Sequence, residues 1–159
     1  MTVDHEYIYQ KYRDDIFAIG FNYFRNPNDA DDIVQETFYK FCKSSKAFES
    51  EEHIRNWLIR VAVNECKRVS LSPWRKRNCA LEEYADTLYF PSEDAGELFT
   101  EVMNLKKSYR QVMHLFYYEG YNIREIADIL GISETAVTTR LNRARNEIKN
   151  RMRGAWQDE

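Results

Sequence analysis

The chain has 159 residues, room for one domain or two small ones, so a large multidomain enzyme is excluded. Its 23 basic and 26 acidic groups leave a net charge of −3, which excludes a protein that holds nucleic acid through its global field alone. With 43% hydrophobic and 31% charged residues and only 5 Gly and 3 Pro, the composition is that of a helix-leaning globular chain, not a disordered one.

No alternation of strand type persists, while apolar residues recur at helical spacing, and the chain reads as all-α. A first helix is expected from Val3 to Arg25, where Asn26, Pro27 and Asn28 end it with turn chemistry. A second is expected from Asp29 to Cys42. Its wheel puts Ala30, Ile33, Val34, Thr37, Phe38 and Phe41 on one side, and Asp32, Gln35, Glu36, Tyr39 and Lys43 on the other. The first side packs. Acids in the first turn suit the helix dipole, and the outward acidic set also suits a basic protein surface.

Ser44 to His53 is a polar stretch containing Phe48 and is expected to form a loop. A third helix, near Ile54 to Val69, turns Trp57, Leu58, Val61, Ala62 and Cys66 inward, and Asn56, Arg60, Asn64 and Lys67 outward within an arc of about 80°. This cationic ledge with a loop beside it fits a single strand of nucleic acid, which basic tracks and pockets for unstacked bases capture. From 71 to 94 periodicity fades around Pro73 and Pro91, and the segment reads as a flexible linker able to reach on the order of 80 Å.

Helical patterning resumes after residue 94 in four shorter blocks that end at Met152. In the last two, Asn122 caps a helix with Glu125 three residues on, Gly131 suits a left-handed stop, and Ser133 caps the next helix. That is a helix-turn-helix. Val137, Leu141, Ala144, Ile148 and Met152 form the buried stripe of its second helix, and Thr135, Thr139, Asn142, Arg143 and Asn146 lie opposite, as base reading in a major groove requires. Arg140, Arg145, Lys149, Arg151 and Arg153 flank that face within reach of phosphates. Six basic against two acidic groups between Ser133 and Arg153 give the stretch a local +4.

Cys42, Cys66 and Cys79 contain no CxxC pair, so no disulfide framework or zinc knuckle is expected. His5, His53 and His114 are scattered and no glycine-rich phosphate loop follows a strand, so no catalytic site, metal or cofactor is expected. The longest apolar runs, such as Ile16 to Phe21, are too short to span a bilayer, and the acidic start lacks a signal-peptide pattern, so the expected location is the cytoplasm, without membrane insertion.

Three segments together resemble one family. Asp29-Ala30-Asp31-Asp32-Ile33-Val34-Gln35-Glu36-Thr37-Phe38, Trp57-Leu58-Ile59-Arg60-Val61-Ala62-Val63-Asn64, and Ser133 to Arg145 are similar in order, spacing and residue type to the extracytoplasmic-function sigma factors of bacterial RNA polymerase. The resemblance implies an N-terminal domain over 1–70, a linker over 71–94 and a C-terminal helix-turn-helix domain over 95–159. It implies that Asp32, Gln35, Glu36 and Tyr39 dock on the clamp coiled coil of the largest polymerase subunit. Phe48, Asn56, Arg60, Asn64, Lys67 and Arg68 would then capture and melt the minus-ten box, with a flipped base received by the loop. The C-terminal domain would rest on the flap of the second-largest subunit and read the minus-thirty-five box through Ser133, Thr135, Thr138, Thr139, Arg140, Asn142 and Arg143. An anti-sigma factor is implied as a further partner.

Two positions depart from the family pattern. Thr135-Ala136-Val137-Thr138-Thr139-Arg140 lacks the usual lysine, and Leu105-Lys106 replaces a common Leu-Pro pair. A stand-alone helix-turn-helix regulator is the alternative, but it leaves Asp29 to Phe38 without a use.

Overall fold

The computed structural model describes residues 2–70 and 95–157, and all its regular elements among these residues are helical. Two compact units result, one holding α1 to α3 and the other α4 to α7. The expected linker over 71–94, with Cys79, lies outside the described residues.

In the first unit, α1 spans His5–Phe24, α2 Pro27–Lys43 and α3 Glu51–Ser70. Asp4 caps α1 by accepting from the Tyr7 N–H at 3.1 Å, and Arg25 ends it in the left-handed region at φ 54°. Asn26 and Pro27 do more than stop this helix. The buried Asn26 Oδ1 accepts from the N–H groups of Asn28 and Asp29 at 2.9 and 3.1 Å, and Pro27 takes the first helical position, where no N–H is needed. The second helix therefore starts two residues earlier than expected. The third starts three residues earlier, because Ser50 Oγ accepts from the His53 N–H at 3.1 Å and caps it, so the preceding loop ends at Ser50 and not at His53.

Packing of the three helices buries Ile16, Phe21, Ile33, Phe41, Ile54, Leu58 and Ile59 almost completely. Gly20 lets α1 and α2 cross closely: a Cβ there would sit 3.0 Å from the Ala30 Cα and 3.3 Å from the Ile33 Cβ. At one end, Phe41 collects the rings of His5, Phe48 and Trp57 at 4.8, 5.8 and 6.0 Å between centroids.

In the second unit, α4 spans Ala95–Asn104, α5 Lys107–Met113, α6 Ile123–Leu130 and α7 Glu134–Gln157. A π-helical turn, His114–Tyr118, continues α5. Four α-helices follow residue 94 as expected, but α7, at 24 residues the longest helix described, runs on past Met152 to Gln157. Phe99, Leu105, Leu115, Ile126 and Leu141 form the core of this unit. Before α5, Lys106 adopts φ −66°, the value a proline ring imposes, and its Nζ lies 4.4 Å from the Tyr109 ring centroid. Beside it, buried Arg110 donates to the Leu105 carbonyl at 2.7 Å. The absent proline has left the helix start in the same backbone region.

Candidate functional site

Amphipathic packing of α2 sets the first surface. Ala30, Ile33, Val34, Thr37, Phe38 and Phe41 are buried as the wheel requires. Asp32, Gln35, Tyr39 and Lys40 are exposed, and Glu36 is half-buried. The Tyr39 ring is about half exposed and carries the Lys43 ammonium 4.7 Å from its centroid. Asp32, Gln35 and Glu36 line a shallow hollow together with Glu65, Arg68 and Val69 of α3.

Glu65 is the residue that sequence reasoning missed. It is only 3% exposed, and its two carboxylate oxygens accept from different helices: Oε1 from Lys40 Nζ of α2, and Oε2 from Arg68 Nε and Nη2 at 3.0 and 2.8 Å. Burial is the largest influence on its carboxyl and acts to raise the pKa. The hydrogen bonds and charges of Lys40 and Arg68 together outweigh it and hold the group below the usual glutamate range. The signal was in the sequence, because Glu65 lies seven residues after Leu58, on the apolar side, with a cation at i+3.

The same contact corrects Arg68. Implied by the resemblance as a minus-ten contact, it is turned toward the hollow by its carboxylate partner and stands with the α2 acids. Arg60, Asn64 and Lys67 remain exposed along α3, and Asn56 is half-buried near its start. Phe48 is corrected as well. Only 9% exposed, its ring meets Phe41, His53 and Trp57, so it anchors the loop from within instead of presenting its face to solvent. His53 closes that loop: its Nδ1 accepts from the Glu49 N–H at 3.1 Å.

The second unit builds the helix-turn-helix as its spacing indicates. Asn122 Oδ1 accepts from the Glu125 N–H at 2.8 Å while Glu125 Oε1 accepts from the Asn122 N–H at 3.1 Å, a complete capping box. Gly131 ends α6 at φ 68°, and Ser133 Oγ accepts from the Ala136 N–H at 3.0 Å to start α7. Val137, Leu141, Ala144 and Ile148 face the core. Thr135, Thr138, Asn142, Arg143 and Asn146 are exposed, and Thr139 and Arg140 are half-buried beside them. Two of the expected contact groups are engaged locally. Ser133 is a helix cap, and Thr138 Oγ1 donates to the Glu134 carbonyl at 3.1 Å. Two expected phosphate contacts are engaged too: Arg151 pairs with Glu101 and Glu147 at 3.5 and 3.2 Å, and Arg145 binds Tyr117 and Asn142. Nothing in the sequence pointed to Tyr117, because its position depends on the π-helical turn.

A family model described as Sigma-70 region 2 matches residues 8–77, and one described as Sigma-70, region 4 matches 96–148. The chain is 27% identical over 139 residues to the RNA polymerase sigma factor SigV of Bacillus subtilis, covering 84% of this chain and 81% of that one. It is also 27% identical over 169 residues to the RNA polymerase sigma factor YlaC of the same species, covering 97% and 95%. Among solved structures, the sigma factor RpoE of Bartonella quintana, crystallised in complex with the anti-sigma factor NepR, shares the fold at a TM-score of 0.65 and 19% identity, over 93% of each chain.

Proposed function

Because the chain belongs to the extracytoplasmic-function family of RNA polymerase sigma factors, we propose that its two helical units divide the work of initiation between three surfaces. The chain binds core RNA polymerase and promoter DNA, and directs where transcription begins. Sigma factors carry out no bond chemistry of their own, and we assign none to this chain.

The α2 face of Asp32, Gln35, Glu36 and Tyr39 docks on the clamp coiled coil of the largest subunit. Its support is an acidic, outward surface held in register by the ion pair between Lys40 and the buried Glu65. Asn56, Arg60, Asn64 and Lys67 take the melted minus-ten strand, with the loop from Ser44 to Ser50 receiving an unstacked base and Phe48 setting that loop's shape. Arg68 supports the clamp-facing side. Thr135, Thr139, Arg140, Asn142 and Arg143 read the minus-thirty-five box in the major groove, while Ser133 and Thr138 set the start of the helix that carries them. The C-terminal unit rests on the flap of the second-largest subunit. An anti-sigma factor restrains the chain by covering its polymerase-binding faces, a reading supported by the complex that the Bartonella relative forms. The site of action is the cytoplasm, and among the described residues no helix is long and apolar enough to cross a membrane.

The observation that carries this reading is the coexistence, in one chain, of an acidic docking helix and a complete helix-turn-helix. A stand-alone regulator needs only the second. In vitro transcription separates them: added to core polymerase on genomic templates, the chain is expected to start RNA synthesis at defined sites. A chain that leaves core polymerase silent, or only represses a holoenzyme already active, is a regulator of the other kind.

A further inference from the structure

Between α5 and α6 the backbone departs from α geometry at one place. The turn His114–Tyr118 is π-helical, closed by the Glu119 N–H donating to the His114 carbonyl at 3.0 Å. A π turn accommodates one more residue than an α turn and so rotates the downstream chain by about 100°. Here the rotation brings Phe116 and Tyr117 to α7. Tyr117 is 57% exposed, unusual for so large a ring, and its position is explained by the side chain that rests on it.

The Arg145 guanidinium lies 5.4 Å from the centroids of both Phe116 and Tyr117, whose rings meet edge to face at 4.9 Å. Its Nε donates to Tyr117 Oη at 2.6 Å, and its Nη1 donates to Asn142 Oδ1 at 3.2 Å. A guanidinium has only donors, so the amide atom facing it must be the oxygen. The amide nitrogen of Asn142 therefore turns away from Arg145 on the exposed face of α7.

We propose that Arg145, held by the Tyr117 and Phe116 rings of the π turn, is a positioning residue that fixes the Asn142 amide with its two N–H groups outward, so that Asn142 selects guanine in the upstream box. A lone amide nitrogen turned outward can donate to the O6 or N7 acceptor of guanine. Cytosine offers only a donor in that groove. Adenine is best paired when amide oxygen and nitrogen both face it, and here its N6 amino group would have to share the oxygen with Arg145, which weakens that pairing. Without this clamp an asparagine can flip and read either purine. The inference rests on α7 reading the minus-thirty-five box and adds to that reading a base and the reason for it.

The test is in vitro transcription by core polymerase with the full chain on a promoter library randomised across the upstream box, scored by sequencing the transcripts. The wild-type chain is expected to prefer guanine at one position by roughly ten-fold, and Asn142→Ala should abolish that preference. Arg145→Ala should flatten the same position, and the double variant should be no flatter than Asn142→Ala alone. Arg145→Lys should not rescue it, because an ammonium lacks the planar fork that spans Tyr117 and Asn142. Tyr117→Phe, which keeps the ring and loses the acceptor, should weaken the preference partly. A uniform drop at every promoter after Arg145→Ala, with preferences unchanged, would mean a phosphate contact and overturn the proposal, as would additive effects in the double variant. If Arg143→Ala shifts a different position while Arg145→Ala changes nothing, the positioning role alone fails. If neither Arg143→Ala nor Asn142→Ala changes any preference, the base-reading face itself is wrong and the proposal falls with it.

Discussion

Gly20 and Glu65 are the residues on which the N-terminal unit depends in ways their types do not advertise. Alanine normally improves a helix by about 1 kcal/mol over glycine. At Gly20 the added Cβ meets the Ala30 backbone at 3.0 Å, and neither helix can move without disturbing the core around Ile33. Overpacking should win, so Gly20→Ala is expected to destabilise by about 1 to 3 kcal/mol, read as a lower urea midpoint at unchanged slope. An increase in the midpoint would mean that the helices separate easily there. Glu65 ties α3, which carries the cationic ledge, to α2 through Lys40. Glu65→Gln should cost about 1 to 3 kcal/mol, less than for a fully buried pair because Lys40 and Arg68 are partly exposed and screened. Its folded carboxyl is held below the ordinary glutamate range, so its contribution is complete above that range and is lost as pH falls through the depressed value. Over that acid window wild-type stability should fall more steeply than that of Glu65→Gln. Parallel acid profiles would mean that the Glu65 charge does not hold the two helices together.

At the scale of elements, the helices carrying the candidate surfaces were legible because caps and periodicity agreed. Asn122, Glu125, Gly131 and Ser133 do in the structure what their spacing indicated. The boundaries of α2 and α3 were less legible, since Asn26 and Pro27 serve both as a stop and as a start, and the cap signal of Ser50 before Glu51 and Glu52 is hidden within a polar stretch that also reads as a loop. The orientations of Phe48 and Arg68 were not legible, for a shared reason. Each belongs to a polar stretch or face, yet a tertiary partner, an aromatic cluster or a buried carboxylate, decides where the side chain points. Tyr117 was invisible, because a single residue of π winding sets its direction. The division into surfaces predicts opposite signatures for substitutions on α2 and α7. Glu36→Ala should weaken core binding and lower transcription from every promoter alike. Replacing Thr139 or Arg143 should change upstream-box preference by about 1 to 3 kcal/mol while leaving core affinity as it was. Core titration by fluorescence anisotropy, run beside transcription from promoter variants, distinguishes the two, and the reverse pattern would exchange the assignments.

For the whole molecule the charge distribution matters more than its sum. A net −3 leaves little non-specific attraction to DNA, and the +4 between Ser133 and Arg153 is reduced further where Glu101, outside that stretch, pairs with Arg151. A subunit of this kind is poorly suited to hold a promoter alone and avoids being trapped on other DNA. In the proposed division, the polymerase supplies most of the binding surface, the acidic α2 face brings the chain to it, and the cationic faces then choose the start. The most direct test is promoter binding measured at physiological salt with this chain alone, with core polymerase alone, and with both. A sequence-specific, strand-opened complex is expected only in the mixture. Specific duplex binding by the isolated chain at about 10⁻⁸ M or tighter, or a mixture no better than core alone, would contradict this division of labour.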